Sequence, residues 1–169
     1  MPEALGGVNG PRLRSLGWDE PSGDGIRSVT GLPKRLPIRT RGALDATLTP
    51  PGSKSLTNRA LPVAALARGQ STLRGGLVSD DTRVMLDCLA ALGHPVTRRS
   101  GVWTLSGGAG RLDAPRETLY AGNSGTTARF LAAAATLADG PVVIDGNPRM
   151  RERPIAGLVD ALQQLGAGA

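Results

Sequence analysis

From about residue 42 onward, apolar and polar positions fall into short periodic runs separated by glycine and proline, and each run predicts one element. Residues 43–49 alternate well enough for a short strand, which Pro50, Pro51 and Gly52 stop. A helix is expected over 55–67, with Leu56, Leu61, Ala64, Ala65 and Leu66 as its apolar contacts and Gly69 as the glycine that ends it. Residues 71–74 read as a strand closed by Gly75 and Gly76. After Asp80 and Asp81 a second helix spans 82–92, with Met85, Cys88, Leu89 and Leu92 on one face and Gly93 at its end. Residues 95–97 and 101–105 then form a hairpin. A second round follows, in which Leu119 and Tyr120 feed the glycine loop 122–127, a helix covers 126–137 and 141–145 is a strand. Beyond a polar loop at 147–153, Pro154 opens a last helix through Ile155, Leu158, Val159, Leu162 and Leu165 to Gly166.

The two rounds repeat. Gly52 matches Gly122, Arg59 matches Arg129, Leu61 matches Leu131, and Ala64 and Ala65 match Ala134 and Ala135, all at an offset of 70. Gly75 matches Gly146 at 71, and Asp87, Leu89, Leu92 and Gly93 match Asp160, Leu162, Leu165 and Gly166 at 73. Offsets that drift by small loop insertions are what a duplicated strand–helix–strand–helix unit gives; two alanine-rich helices alone could agree by chance. The second round lacks the hairpin of the first, so the pattern reads as a truncated domain with an exposed sheet edge. Residues 1–38 are rich in Gly, Pro, Ser and Arg without apolar period and read as a disordered lead-in. That leaves 39–169 as a partial domain, with a first unit over 40–118 and a second over 119–166. The lead-in has no apolar secretory core, and its four acids argue against an organelle transit peptide.

Composition narrows the partners. The 169 residues fit one domain or part of one. Hydrophobic content of 40% with 20% charge is globular, and the only aromatics are Trp18, Trp103, Tyr120 and Phe130, so Ala, Leu and Val must build the core. One cysteine and one histidine exclude an internal disulfide and a Cys/His metal cluster. No apolar run approaches the length of a membrane span. The net charge of +6 suggests nucleic acid until it is divided: residues 1–41 hold seven cations against four acids, and the rest holds thirteen against ten. Stacking aromatics do not interleave the basic positions, which argues against a nucleic-acid partner.

Three polar loops carry the chemistry. The first, 52–59, offers a helix mouth, the Ser53 and Ser55 hydroxyls, the Lys54 ammonium and the Arg59 guanidinium. Lys54 and Lys34 are the only lysines among twenty cations. The glycine spacing is not that of a nucleotide P-loop. The second loop, 122–127, is another helix mouth with two glycines that permit close backbone approach. The third, 148–154, holds Arg149, Arg151 and Arg153. Plainer alternatives stand beside each: a capped helix with a solvated lysine, a glycine turn with a threonine cap, and a solvated charged loop. Asp80 and Asp81 read as helix caps, His94 as structural and Cys88 as core. Taken together the three loops describe a site for anions, with arginines able to grip phosphate or carboxylate bidentately.

At these loops the sequence resembles the 5-enolpyruvylshikimate-3-phosphate synthase family: Pro-Gly-Ser-Lys-Ser-x-x-Asn-Arg at 51–59, Gly-Asn-Ser-Gly-Thr-Thr at 122–127 and Arg-Met-x-x-Arg-Pro-Ile at 149–155. The resemblance covers about 40–166 and implies the enolpyruvyl transferase fold, an inside-out α/β barrel of repeated βαβαββ units, with part of one domain present. It implies transfer of the enolpyruvyl group of phosphoenolpyruvate to the 5-hydroxyl of shikimate 3-phosphate, with release of phosphate, on the route to chorismate and the aromatic amino acids. Lys54 would be the catalytic residue and contact both substrates, with Ser55 and Arg59 holding shikimate 3-phosphate. Gly125 and Arg149 would hold phosphoenolpyruvate, with Asn123, Thr126 and Arg129 lining the same pocket. No metal or organic cofactor is implied; the setting would be cytoplasmic and the full-length protein monomeric. The family's proton-transferring carboxylates are expected beyond the matched motifs, so the fragment alone is expected to be inactive. The alternatives are the related UDP-N-acetylglucosamine enolpyruvyl transferase, which normally carries Lys-Asn where Lys54-Ser55 stands, and a non-catalytic anion-binding remnant.

Overall fold

The computed structural model describes Arg35, Asp45 and residues 47–168, so the expected lead-in lies, Arg35 apart, outside the described residues. Helix α1 (Lys54–Leu66) forms where the apolar spacing places it, and Ser53 caps it by accepting from the Leu56 N–H. It buries Leu61, Ala64 and Ala65 and carries Pro62 in its interior. Pro62 has no N–H to give the Asn58 carbonyl one turn earlier, and the Asn58 amide, 1% exposed, has neither Nδ2 nor Oδ1 paired among the described residues. Strand β1 (Arg68–Arg74) follows at once. Gly69 therefore does not end the helix as expected: Ala67 is the cap, in extended conformation, and Gly69 sits inside the strand at a φ of +74°.

Helix α2 (Asp80–Ala91) starts two residues before its expected position, because Ser79 caps it. The Ser79 hydroxyl accepts from the Thr82 N–H while Thr82 Oγ1 accepts from the Ser79 N–H, a reciprocal capping box. Asp80 and Asp81 are thus first-turn residues and not caps. Gly93, at φ +88°, closes α2 with two backbone bonds, Gly93 N–H to the Ala90 carbonyl and His94 N–H to the Leu89 carbonyl. Strands β2 (Thr97–Arg99) and β3 (Val102–Gly108) form the expected hairpin, and β3 also pairs antiparallel with β1, giving the order β1-β3-β2. Alternation along β3 buries Trp103 and Leu105. Cys88 and His94 are both buried. Burial, and then the neighbouring Asp87 charge, pushes the Cys88 thiol up to about 12, and His94 bridges the Ser106 and Arg111 carbonyl oxygens with its two ring nitrogens.

The second round is a β-α-β unit: β4 (Leu119–Tyr120), α3 (Gly125–Ala135) and β5 (Ile144–Asp145), with β4 and β5 parallel. The strand expected over 141–145 is cut to two residues because β4 offers only two partners. The strand expected over 43–49 is absent at 47–49, the part that can be described in sequence; no described strand pairs with it, and Leu48 is 85% exposed. The expected loop at 147–153 contains a short helix, α4 (Pro148–Arg151), capped by Asn147. Pro148, not Pro154, is the proline at a helix start; α5 (Ala156–Gln164) begins after Ile155 and buries no residue fully. Its end repeats that of α2, with Gly166 at φ +88° and the same two bonds, to Gln163 and Leu162.

The glycines shared by the two rounds meet each other in space. A Cβ on Gly52 would lie 2.0 Å from the Gly75 carbonyl oxygen, and one on Gly146 would lie 2.6 Å from the Gly122 carbonyl oxygen. In each unit the loop before the helix therefore touches the loop after the following strand, backbone on backbone. Because the obstruction at Gly52 is main chain, Gly52→Ala should destabilise the fold by about 1–3 kcal/mol; urea denaturation compared with the parent chain measures it, and an unchanged midpoint would refute the close approach.

Candidate functional site

The N-termini of α1 and α3 open on one hollow of about 650 Å³, lined by Lys54, Arg59, Asp81, Asn123, Gly125, Thr126, Arg129, Phe130 and Arg153. Neither helix has an acid in its first turn, so both present uncompensated N–H groups and positive dipole ends. Ser124 caps α3 by accepting from the Thr127 N–H. Four cations face one carboxylate here, and that excess, with two helix mouths, suits an anion. Among the described residues no group of three or more His, Cys, Asp or Glu side chains comes together.

Buried threonines hold the mouths in place. Thr57, in the first turn of α1, accepts from the Leu77 N–H at 3.1 Å. Thr82, in the first turn of α2, donates to the Leu77 carbonyl at 2.9 Å. Thr127, in the first turn of α3, donates to the Asp81 carbonyl at 3.4 Å. All three are at most 5% exposed.

Of the residues expected from sequence, Lys54, Arg59, Asn123, Gly125, Thr126 and Arg129 line the hollow together. Ser55 sits behind Arg59, whose Nη1 donates to the Ser55 carbonyl at 2.9 Å and to its hydroxyl. Arg129 does likewise one repeat on, donating to the Gly125 carbonyl at 3.3 Å and to the Pro154 carbonyl at 2.7 Å. Arg149 does not join them. It is exposed on α4 and pairs with Glu152 at 3.3 Å, a surface pair worth about 0–1 kcal/mol.

Three further residues belong to the hollow: Asp81 and Phe130, which the sequence did not mark as site residues, and Arg153, which it offered only as one of three arginines in the third loop. Asp81 places its carboxylate 2.7 Å from the Lys54 ammonium. Its position in the first turn of α2 gave no sign of this, because the partner lies 27 residues earlier on another helix. Arg153 reaches the hollow from the loop after α4. It lies so close to the start of α3 that a Cβ on Gly125 would be 2.8 Å from its Nη1 and 3.2 Å from Arg129 Nη1. Gly125 is thus a cradle for two guanidinium groups. A smaller cavity of about 160 Å³ adjoins, sharing Arg129 and Arg153.

The third arginine of the loop, Arg151, is a fastener. Its Nε and Nη2 clasp both carboxylate oxygens of Asp145 at the end of β5. That hydrogen bonding, with the Gly146 N–H, lowers the Asp145 carboxyl from its ordinary 3.8 to about 2. Three neighbouring arginines therefore take three roles: Arg149 faces solvent, Arg151 fixes α4 to the strand, and Arg153 enters the hollow.

The family model for EPSP synthase (3-phosphoshikimate 1-carboxyvinyltransferase) matches residues 38–169. The 3-phosphoshikimate 1-carboxyvinyltransferase of Rhizobium leguminosarum bv. trifolii is 51% identical over 123 residues, which are 73% of this chain and 29% of that protein. The one from Pseudomonas savastanoi pv. phaseolicola is 45% identical over 139 residues, 82% of this chain and 32% of that protein. Among solved structures, EPSP synthase from Acinetobacter baumannii superimposes with a TM-score of 0.67 at 30% identity, covering 71% of this chain and 28% of that one. The chain spans about 30% of the length of these relatives.

Two outcomes test this geometry. Gly125→Ala meets only the flexible ends of two side chains, so the melting temperature should hold while both guanidinium groups are displaced and phosphate-ester binding weakens; calorimetry of both properties checks the split. The Asp145 pair stabilises the fold above about pH 4, and its contribution declines as pH falls toward 2. A carboxyl-carbon NMR titration should give Asp145 a midpoint near 2 that returns toward 3.8 in Arg151→Gln; an ordinary midpoint in the parent chain would show that the clasp does not hold in solution.

Proposed function

This chain belongs to the EPSP synthase family, with its partial α/β enolpyruvyl transferase fold, and from that premise we propose that it supplies substrate-binding residues for transfer of the enolpyruvyl group of phosphoenolpyruvate to shikimate 3-phosphate. The observation that carries the reading is the convergence of Lys54, Arg59, Arg129 and Arg153 on two helix mouths in one hollow. Both substrates are phosphorylated anions, and the hollow offers them four cationic side chains. The relatives are 3-phosphoshikimate 1-carboxyvinyltransferases, which favours shikimate 3-phosphate over a nucleotide sugar, as does Ser55 following Lys54.

In the proposed reaction the 5-hydroxyl oxygen adds to C2 of phosphoenolpyruvate while its methylene carbon accepts a proton. Phosphate then leaves and the methyl carbon gives up a proton, restoring the double bond. Lys54, at the first position of α1, contacts both substrates in this reading and stabilises the departing phosphate. Arg59 and Ser55 bind shikimate 3-phosphate. Asn123, Gly125, Thr126 and Arg129 line the phosphoenolpyruvate side, where Arg153 is the further guanidinium. Arg149 would join on release of its weak pair with Glu152. We place the reaction in the cytoplasm and the full-length protein as a monomer; among the described residues no helix is long and apolar enough to cross a membrane.

The described lining holds a single carboxylate, Asp81, already engaged by Lys54, whereas the chemistry needs proton delivery and removal. The polypeptide 1–169 should accordingly bind shikimate 3-phosphate without turnover. Calorimetric titration should give saturable binding that Lys54→Ala weakens at least about ten-fold, and no phosphate should be released when both substrates are present. Binding that is absent, or indifferent to Lys54, would overturn the proposed site; robust phosphate release would overturn the division between binding and turnover.

A further inference from the structure

Two of the cations in the hollow are held in opposite ways. Lys54 is held by a carboxylate, which neutralises it in place. Arg59 has no carboxylate partner among the described residues: its guanidinium carbon stands 5.8 Å from the centroid of the Phe130 ring, across from α1 to α3, within the distance at which a ring face attracts a cation. Among the described residues its hydrogen bonds, to the Ser55 carbonyl and hydroxyl, use Nη1 alone, so within that set Nε and Nη2 remain open to a ligand.

The repeat sharpens the contrast. Arg129, the counterpart of Arg59, is anchored across elements by the Pro154 carbonyl at 2.7 Å. Among the described residues Arg59 has no such carbonyl, and Phe130 supplies the cross-element contact instead. The position matching Phe130 in the first unit is Ala60, so the ring belongs to the second unit alone. Arg59 is exposed and carries a long side chain with many rotamers. A neutral anchor confines it while leaving its charge whole for an anion, which a carboxylate would not do.

We propose that Phe130 is a positioning residue for the anion site: its ring confines the Arg59 guanidinium in the hollow and so raises affinity for the phosphorylated substrate. The inference rests on the functional reading above, in which Arg59 binds that substrate.

Phe130 is the only phenylalanine of the chain, so growth on a fluorinated phenylalanine changes this ring and no other. Fluorine withdraws electron density from the ring face at nearly constant volume, so a merely structural role would not respond in a graded way. Calorimetric titration of shikimate 3-phosphate into the chain carrying phenylalanine, 4-fluoro- and 3,4,5-trifluorophenylalanine should show affinity falling stepwise. The trifluoro ring and Phe130→Leu should each be weaker by about two- to five-fold, while Phe130→Trp should retain binding. Arg59→Gln is the control for the functional reading. If it binds as the parent does, or the parent shows no saturable binding, that reading fails and the inference with it. If Arg59→Gln weakens binding while affinity stays flat across the fluorinated series and in Phe130→Leu, the reading stands and the inference is overturned.

Discussion

Everything at the hollow depends on a line of buried hydroxyls. Thr57, Thr82 and Thr127 stand in the first turns of three different helices and bond to Leu77 and Asp81 main-chain atoms, so that α1, α2 and α3 are tied together at their N-terminal ends. Three positive helix ends brought close repel one another. α2 answers with Asp80 and Asp81 in its first turn, whereas α1 and α3 carry no acid there. The charge deficit is therefore concentrated at the two mouths that face the hollow. The threonines hold fixed an arrangement that electrostatics alone would spread apart, a repulsion that the proposed anionic substrate would relieve.

The duplicated plan reuses backbone devices and varies side-chain ones. Both units bring the glycine before the helix against the glycine after the following strand, and α2 and α5 end on the same glycine bonds. Both place an arginine that reaches back one turn to a main-chain carbonyl. The second anchor of that arginine differs, as does the residue near the helix mouth: Lys54 paired with Asp81 in the first unit, Gly125 cradling Arg129 and Arg153 in the second. Two copies of one scaffold thus present one point charge and three planar forks, Arg59, Arg129 and Arg153, to the same hollow.

The sequence made the helices and the hairpin legible because their information is local. Apolar spacing fixed α1, α2 and α3 to within about two residues, and the alternation around Trp103 fixed β3. Strands that live by a distant partner were misjudged: 141–145 looked strand-like throughout, yet β4 pairs with two residues of it. The two prolines of the arginine loop are equivalent on paper, and only the Asn147 side chain, accepting from the Met150 N–H, decides that the first opens a helix. The resulting turn sends Arg149, Arg151 and Arg153 in different directions, which no count of charges could foretell. Asp81 was obscured by a competing local reading as a cap. Lys54, Arg59, Asn123, Gly125 and Thr126 were legible because they stand in two glycine-marked helix-mouth loops, while Arg129 was reached only through the family resemblance, as the repeat counterpart of Arg59.

The charge arrangement of the open hollow also bears on how fast a ligand arrives. Arg129 and Arg59 are oriented by carbonyls, a hydroxyl and an aromatic ring, none of which cancels their charge, and among the described lining residues of the hollow it is Lys54 that has a carboxylate beside it. The uncancelled field extends into solvent over roughly the screening length, about 8–10 Å near physiological ionic strength. On the proposed function, a phosphorylated metabolite would be drawn toward the helix mouths before it touches them, with its phosphate leading. Association should then be the salt-sensitive step and dissociation much less so, which makes the neutral anchoring of these arginines a determinant of encounter as well as of affinity.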